Sequence, residues 1–253
     1  MKMTEITKKL LALGLLCTVM LTSVGCGDNN TSSSKTDSES AITTTLESES
    51  KATLVDEEAS EENQETILPP EVKEYGFSME DEYLYFSIIY YNPNEDIAIE
   101  YPSFRITARN SEGEVIASEE EVESIIYPQQ ESACAGMAFK VDELPASLDV
   151  EALEPEDYSI TKVEMLENPE YAPLTAFNVT MREENIVGEI QNENDYDIES
   201  AIVTVVFRDE DGKLIGGDFS FVDSLKANSA TPFDVSIDLD FATTNYEIYA
   251  NIW

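Results

Sequence analysis

The amino-acid sequence predicts an all-β fold of two tandem β-sandwich domains, and three observations support this fold class. After Pro70, short segments rich in β-branched and aromatic residues alternate with clusters of Pro, Gly, Asn and Asp, the pattern of strands joined by turns. No window of this region keeps an apolar period of 3.6 residues, so helices are limited to one or two turns. The strand pattern also occurs twice along the chain, which indicates a repeated unit.

Eight segments carry the strand pattern, and two short turns mark hairpin tips. In Glu112-Gly113 and in Asp211-Gly212, an acidic residue precedes a glycine between two apolar runs. Glycine adopts the positive φ that such a hairpin turn needs. The predicted strands are Tyr83–Asn92, Phe104–Arg109, Val115–Ser118, Ser132–Val141, Ile186–Gln191, Ala201–Phe207, Asp218–Val222 and Phe233–Leu239.

The two halves of this region repeat the order of an asparagine, a glycine turn and an apolar residue. The residues that mark this order are Asn92, Gly113 and Ile126 in the first half and Asn192, Gly212 and Leu225 in the second. Their separations are 21 and 13 residues in the first half and 20 and 13 in the second. Because a unit of about 100 residues with about seven short strands has the size of a β-sandwich, we expect domain 1 at residues 71–166 and domain 2 at residues 170–253.

The N-terminal 26 residues have the order of a secretory signal. Three lysines among the first nine residues precede an apolar run from Leu10 to Val24, which is too short to span a membrane comfortably. The run ends in Ser23-Val24-Gly25-Cys26, and here the sequence resembles the lipobox of bacterial lipoproteins. The resemblance implies that residues 1–25 are a lipoprotein signal peptide and that Cys26 is acylated. The alternatives are an uncleaved anchor and ordinary secretion with an unmodified Cys26 thiol.

An acylated Cys26 would hold the folded part outside the membrane, because two acyl chains on one residue give stable attachment. Residues 27–68 contain no aromatic residue, 15 Ser and Thr, and 11 Asp and Glu, too little apolar surface to offset the entropy of ordering. We therefore predict that residues 26–68 are the lipidated cysteine and a disordered acidic linker. A glycosylated or phosphorylated linker is the alternative reading of its Ser and Thr.

Composition excludes several classes of function. The chain has no His, 14 Lys and Arg, and 53 Asp and Glu, a net charge of −39; after residue 25 the charge is −41, from 11 basic and 52 acidic residues. Without His, the chain lacks His bases and His-ligated metal sites. The acidic balance argues against nucleic acid as a partner, since phosphates are bound by Lys and Arg. Paired carboxylates can hydrolyse glycosides, but so many acids form pairs by chance, and we predict neither enzymatic activity nor a cofactor.

The second domain carries three features in a fixed order. Gly188 and Asn192 form Gly-x-x-x-Asn on an opening strand, the strand from Val203 ends in Asp-x-x-Gly at Asp209, and a small-residue turn follows Leu225. With these features, a stretch of about 65 residues resembles the FxLYD-type immunoglobulin-like domains of bacterial surface lipoproteins. The resemblance implies an extracellular immunoglobulin-like β-sandwich without catalytic residues. The first domain matches less closely, since Ile88 replaces the glycine and the turn before Gly113 begins with Asn110.

Several acidic turns and one thiol are candidate sites. Turn aspartates offer hard oxygen ligands to calcium, but an EF-hand fails because Phe207 falls where the first ligand is needed, and solvated turn acids are the alternative. The weak candidates are Asp195, Asp197, Asp209 and Asp211. Charges on an edge strand prevent pairing with other chains, the role expected for Glu119, Glu120, Glu121 and Glu123. Cys134 lies in an apolar segment and is predicted to be a small buried residue, with a reactive or intermolecular thiol as the alternative.

The first strand of domain 1 predicts an unusual outer surface. One face alternates apolar residues as a core face does, but the other face carries Tyr83, Tyr85, Ile89 and Tyr91. The second domain has Glu and Asn or Gln at these positions, namely Glu183, Asn185, Glu189 and Gln191. An apolar, Tyr-rich outer face on one repeat suggests that something covers it. The face could be covered by the sister domain or by an outside partner such as a glycan or protein. Alternatively, nothing covers it and its residues reflect β-propensity alone.

Together these observations predict a lipid-anchored, extracytoplasmic lipoprotein that acts as a non-enzymatic binding or structural module of the bacterial cell envelope. The predicted partners are the membrane, through Cys26, and an envelope protein or glycan. The alternative function is a solute- or carbohydrate-binding lipoprotein that assists a transporter or a wall-processing enzyme. The oligomeric state is left open, and a spacer that binds nothing would differ from a binder only in lacking a recognition surface.

Overall fold

The computed structural model describes residues 67–183, 185–237 and 245–253. The predicted signal peptide, Cys26 and the linker up to residue 66 lie outside the described residues. Within them the protein is all-β, as predicted: fifteen strands form five antiparallel sheets, and the helical residues form two 3₁₀ turns, Asp157–Ser159 and Val163–Met165.

The strands divide into a first sandwich, β1 to β9, and a second sandwich, β10 to β15. Those of the first sandwich are β1 (Glu71–Glu80), β2 (Tyr83–Tyr91), β3 (Ile97–Glu100), β4 (Ser103–Arg109), β5 (Val115–Val122), β6 (Ile125–Ile126), β7 (Glu131–Lys140), β8 (Ser147–Ala152) and β9 (Ile160–Lys162). Those of the second are β10 (Thr175–Met181), β11 (Asn185–Asn192), β12 (Ile198–Arg208), β13 (Leu214–Leu225), β14 (Ser229–Ser236) and β15 (Asn245–Ile252).

The two sandwiches share their sheet topology. In the first, β1-β2-β7 is one sheet and β5-β4-β8 another, while β6-β3-β9 is a short third sheet; in the second, the orders are β10-β11-β14 and β13-β12-β15. The β4-β5 pair therefore corresponds to the β12-β13 pair. Each sandwich has its own apolar cluster, one containing Tyr90 and Phe104 with ring centroids 4.7 Å apart, the other containing Val205 and Phe233. Burial of these apolar surfaces is the main favourable contribution to folding.

Proline interrupts the long hairpin of the first sandwich. Pro102 has no N–H to donate to a ladder, and it separates β3 from β4. Opposite, Glu123 and Ser124 separate β5 from β6. Hydrogen bonds bridge the gap, because the Tyr101 N–H donates to the Ser124 carbonyl (2.6 Å) and the Glu123 N–H to the Pro102 carbonyl (3.0 Å). In the second sandwich β12 and β13 run through this position without a break.

The repeated asparagines are buried and tie each sandwich together. Asn92 donates from Nδ2 to the carbonyls of Ile97 (2.8 Å) and Ile126 (3.2 Å), and its Oδ1 accepts from the N–H of Asn94 (3.1 Å). Asn192 makes the equivalent bonds to Tyr196 (3.0 Å) and Leu225 (3.4 Å). The constant spacing of the sequence repeat thus reflects a buried side chain that must reach the same two main-chain oxygens.

The second asparagine of each pair holds the segment that leads into its sandwich. Asn94 accepts from the Leu68 N–H (3.0 Å) and donates to the Leu68 carbonyl (2.8 Å). Asn194 does the same with Ala172, at 2.7 and 2.9 Å. A single amide side chain thereby satisfies both polar groups of the entering main chain.

The two predicted hairpin tips are confirmed. Gly113 and Gly212 both have φ of 82°, and neither position would meet another atom if a Cβ were added, so conformation rather than space requires glycine there. The side chains of Asn110 and Asp209 accept main-chain N–H bonds across these turns.

All eight predicted strands are present, within a few residues of their predicted bounds, although the end of the last one falls at residues 238–239, outside the described range. Seven others were not predicted: β1, β3, β6, β8, β9, β10 and β15. The first sandwich has nine strands rather than about seven, because Pro102 divides strands that are continuous in the second. Cys134 is buried in β7, as predicted, and burial raises the pKa of its thiol, with a further contribution from Glu123.

Candidate functional site

The two sandwiches meet through non-equivalent sheets. The outer face of β1-β2-β7 lies on the outer face of β13-β12-β15, and a third apolar cluster forms between them. Its members are Ile89, Ala133, Ala135, Val206 and Leu214, with Tyr249 packed at the margin. At Gly76 the backbones approach so closely that an added Cβ would lie 1.9 Å from the Leu214 carbonyl oxygen. Glycine is needed there for the approach itself.

Polar side chains surround this apolar contact. Arg208 bridges the sandwiches, with Nη1 2.8 Å from Glu74 Oε1 and Nε 2.7 Å from Glu247 Oε1. Hydrogen bonding to Arg208 lowers the pKa of the Glu247 carboxyl. At the other end of the interface, Asn251 donates to the Ser132 hydroxyl and accepts from Gln130 Nε2 (2.7 Å). The contact is thus apolar in its centre and polar at its edge, as specific interfaces are.

The four residues of the predicted Tyr-rich surface do not form one open face. Ile89 is buried against the second sandwich, so the sister domain covers the middle of this strand. The Tyr91 hydroxyl donates to Gln129 Oε1 (2.6 Å), and the Lys73 ammonium lies 4.9 Å from the centroid of the Tyr91 ring. Tyr85 is half-buried, and Tyr83 is exposed at the far end of β2.

A row of exposed aromatic side chains lies on the part of the β13-β12-β15 face that the first sandwich leaves open. Phe219, Phe221 and Trp253 are 38%, 47% and 47% exposed. Their rings touch edge to face, with centroids 5.6 Å apart for Phe219 and Phe221 and 5.0 Å apart for Phe221 and Trp253. Ile202, directly opposite Phe221 on β12, is buried. The row begins beside Gly136 of the first sandwich, where an added Cβ would lie 3.2 Å from the Phe219 ring.

Sequence reasoning missed this row. The alternation of Phe219 and Phe221 within a predicted strand places both on one face, and that signal was present. Which face a sister domain covers depends on a contact between distant segments, and Trp253 follows a strand that was not predicted.

The structure does not bring the four turn aspartates together. Asp209 accepts the main-chain N–H groups of Asp211 and Lys213 within its own turn (3.0 and 2.9 Å). Asp197 pairs with the Lys226 ammonium (2.7 Å), which lowers the pKa of its carboxyl. In the described ranges, no group of three or more His, Cys, Asp or Glu residues is placed to hold a metal ion.

Glu119, Glu120 and Glu121 lie on an edge strand, as expected, whereas Glu123 follows that strand and is buried. β5 is the outermost strand of its sheet, and Glu119 and Glu121 stand opposite the core residues Ile106 and Phe104. Burial, together with neighbouring carboxylates, raises the pKa of Glu121 and raises that of Glu123 to about 8. Inward-pointing carboxylates of this kind discourage pairing with another chain.

No protein-family model matches the sequence, and no curated protein matches it significantly. The resemblance to FxLYD-type domains therefore stays a prediction. In the part of the chain that the structure describes, no helix is long and apolar enough to cross a membrane.

Proposed function

We propose that this protein is a lipid-anchored extracytoplasmic lipoprotein whose two β-sandwiches act as a non-enzymatic binding module of the bacterial cell envelope. The N-terminal order of basic, apolar and small residues before Cys26 supports the anchor. The binding role is supported by the exposed aromatic row, Phe219, Phe221 and Trp253, beside a well-packed interface. Residues of this kind are enriched at recognition surfaces.

Charge narrows the class of partner. A chain with a net charge of −41 after residue 25 repels anionic polymers, whereas a neutral glycan meets no such barrier. The row itself consists of apolar rings, which pack against the C–H faces of sugars and against apolar protein side chains alike. The proposed partner is accordingly a neutral envelope glycan, with an envelope protein as the alternative.

The anchor is tested by expressing the full chain in a bacterium that processes lipoproteins, with an alkyne analogue of palmitate in the medium. We expect label and membrane sedimentation for the natural chain and loss of both for Cys26→Ser. A label that survives in Cys26→Ser, or a soluble natural chain, would contradict the lipoprotein assignment.

The binding role is tested by co-sedimentation with purified cell-wall material. The doubly substituted chain Phe221→Ser, Trp253→Ser should lose at least about fivefold in bound fraction, the loss expected for two aromatic contacts. Leu144→Ser, which removes an exposed apolar residue of the first sandwich, is the matched control and should bind normally. If the natural chain does not sediment, or if the double variant sediments equally, glycan binding through the aromatic row is contradicted.

A further inference from the structure

A concave site lies on the first sandwich, at the interruption of its long hairpin. The pocket has a volume of about 380 Å³ and is bounded by Tyr101 on the β3-β4 turn, by Val122 at the end of β5 and by the segment 153–159 after β8. Tyr101 and Tyr158 are 56% and 77% exposed. Two large, exposed aromatic side chains therefore line one depression, one from the β3-β4 turn and the other from the segment after β8.

The walls of the pocket are held by main-chain hydrogen bonds. Tyr101 is fixed through its bond to the Ser124 carbonyl, while the Leu153 N–H donates to the Ser103 carbonyl (2.9 Å) and the Ser159 N–H to the Glu156 carbonyl (2.8 Å). Tyr101 has φ of 57°, a strained conformation that is rare for a bulky residue. The surrounding bonds thus keep an aromatic side chain where the backbone alone would not place it.

The lining is aromatic and acidic. Glu120, Glu154 and Glu156 contribute carboxylates, and no Lys or Arg lines the pocket. Arg105 neutralises Glu120 at 2.9 Å, which leaves the carboxylates of Glu154 and Glu156 on the wall that carries Tyr158. An ammonium group satisfies both features at once, because it is attracted to the face of an aromatic ring and to a carboxylate. The protein already makes one such ring contact, between Lys73 and Tyr91.

The pocket occupies the position of the aromatic row in the other sandwich. Ser103 faces Val122 across the β4-β5 pair, as Ile202 faces Phe221 across the β12-β13 pair. Both repeats therefore expose aromatic side chains at the same end of equivalent sheets. In the second repeat these side chains form an apolar row, and in the first they are mixed with carboxylates. The two repeats use different residues at this position, yet both leave it uncovered, which indicates a surface that is accessible to a ligand in both.

We propose that the pocket between Tyr101 and Tyr158 binds a small organic cation through its ammonium group, with the tyrosine rings around the cation and Glu154 and Glu156 beside it. This site is separate from the aromatic row, and it does not depend on the proposed glycan binding. The ligand class is a quaternary or primary ammonium compound.

The proposal is tested with choline as the probe, by following the tyrosine ring signals of the full chain in NMR spectra. We expect saturable shifts confined to Tyr101 and Tyr158, and an affinity at least about fivefold higher for choline than for its uncharged isostere, 3,3-dimethylbutan-1-ol, as a cation–π contact requires. The affinity for choline should fall with added salt, because salt screens the attraction between the ammonium group and partly exposed carboxylates.

Three variants locate the site. Tyr158→Ala and the double substitution Glu154→Gln, Glu156→Gln should each weaken choline binding about fivefold, and Tyr101→Asn, which tolerates the positive φ, should do the same without disturbing the fold. Tyr75→Ala, a partly exposed tyrosine of β1, should bind choline normally. Equal affinity for choline and its isostere, unchanged binding by the Tyr158 variant, or shifts produced by magnesium but not by choline would each overturn the proposal.

Discussion

The outer faces of the two equivalent sheets, β5-β4-β8 and β13-β12-β15, differ in a way that explains how the sandwiches associate. In the first sandwich, Arg105 pairs with Glu120, and the Thr107 and Ser118 hydroxyls lie 3.1 Å apart. The equivalent cross-strand positions of the second sandwich hold Thr204 opposite Phe219 and Val206 opposite Gly217. The main-chain ladders are the same, so the side chains on this face decide which sheet is solvated and which receives the sister domain.

A second contrast lies inside the sandwiches. Counting from the repeated hairpin turns, Glu123 of the first sandwich corresponds to Val222 of the second, and both are buried. One repeat thus fills this position with a carboxyl group and the other with an isopropyl group. Burying a carboxyl is costly when it ionises, so the two sandwiches should respond differently to pH.

The largest expected effect is this pH response. The pKa of Glu123 is raised to about 8 in the folded protein, above its ordinary value of 4.5, so the folded state binds the proton more tightly and stability falls as pH rises between these values. Between pH 5 and pH 9 we expect the natural chain to lose on the order of 4 kcal/mol of unfolding free energy through Glu123. Glu123→Val should abolish this loss. Urea unfolding at the two pH values measures it. An equal pH dependence in the natural chain and the variant would show that Glu123 is not the titrating group.

The next largest effect concerns the docking of the sandwiches. Gly76→Val places a side chain against the Leu214 main chain, where no rearrangement of a side chain relieves the clash. We expect a loss of about 3 kcal/mol and separation of the sandwiches, visible as a larger radius in small-angle X-ray scattering. Gly113→Ala is the control, since its site is open and only its φ is unfavourable; it should leave the radius unchanged. A compact Gly76→Val variant of normal stability would contradict the described interface.

The repeated asparagines come third. Asn92→Ala and Asn192→Ala each remove the hydrogen bonds of a buried amide to main-chain carbonyls, and each should lower the free energy of unfolding by about 2 kcal/mol. Asn110→Ala removes similar main-chain bonds at an exposed turn and should cost less than about 1 kcal/mol. Equal losses at all three positions would mean that burial of the asparagine does not matter.

The smallest effect compares two arginines at the same place in their hairpins. Arg208 is 18% exposed and binds Glu74 and Glu247, while Arg109 is 37% exposed and binds Asp149. We expect Arg208→Gln to cost about 1.5 kcal/mol, since it breaks the bridge between the sandwiches, and Arg109→Gln under about 1 kcal/mol. The measurement is thermal unfolding at low and high salt. If the two variants lose equal stability, the bridge to Glu74 contributes nothing.

Local pattern accounts for most of the fold and little of the site. The strand at Tyr83 was predictable because its side chains alternate, whereas β8 has only Leu148 and Val150 as large apolar residues among polar, charged and small ones. It acquires strand structure from its partner in the sheet. The repeat at Asn92 and Asn192 was visible in the spacing, although only the structure shows the carbonyls that these side chains reach. Both exposed aromatic sites escaped prediction because exposure depends on which long-range contacts form.

Because the two sandwiches dock through unlike sheets, the contact has no two-fold symmetry. The outer faces of the other two large sheets, β5-β4-β8 and β10-β11-β14, take no part in it. Repetition of such a head-to-tail contact from chain to chain would produce an open-ended fibre. The unused sheets bear Arg105 and Glu120 on one side and Asn185, Glu189 and Gln191 on the other. Burying these polar groups in a further contact of this kind would cost their hydration, so we expect them to disfavour such growth.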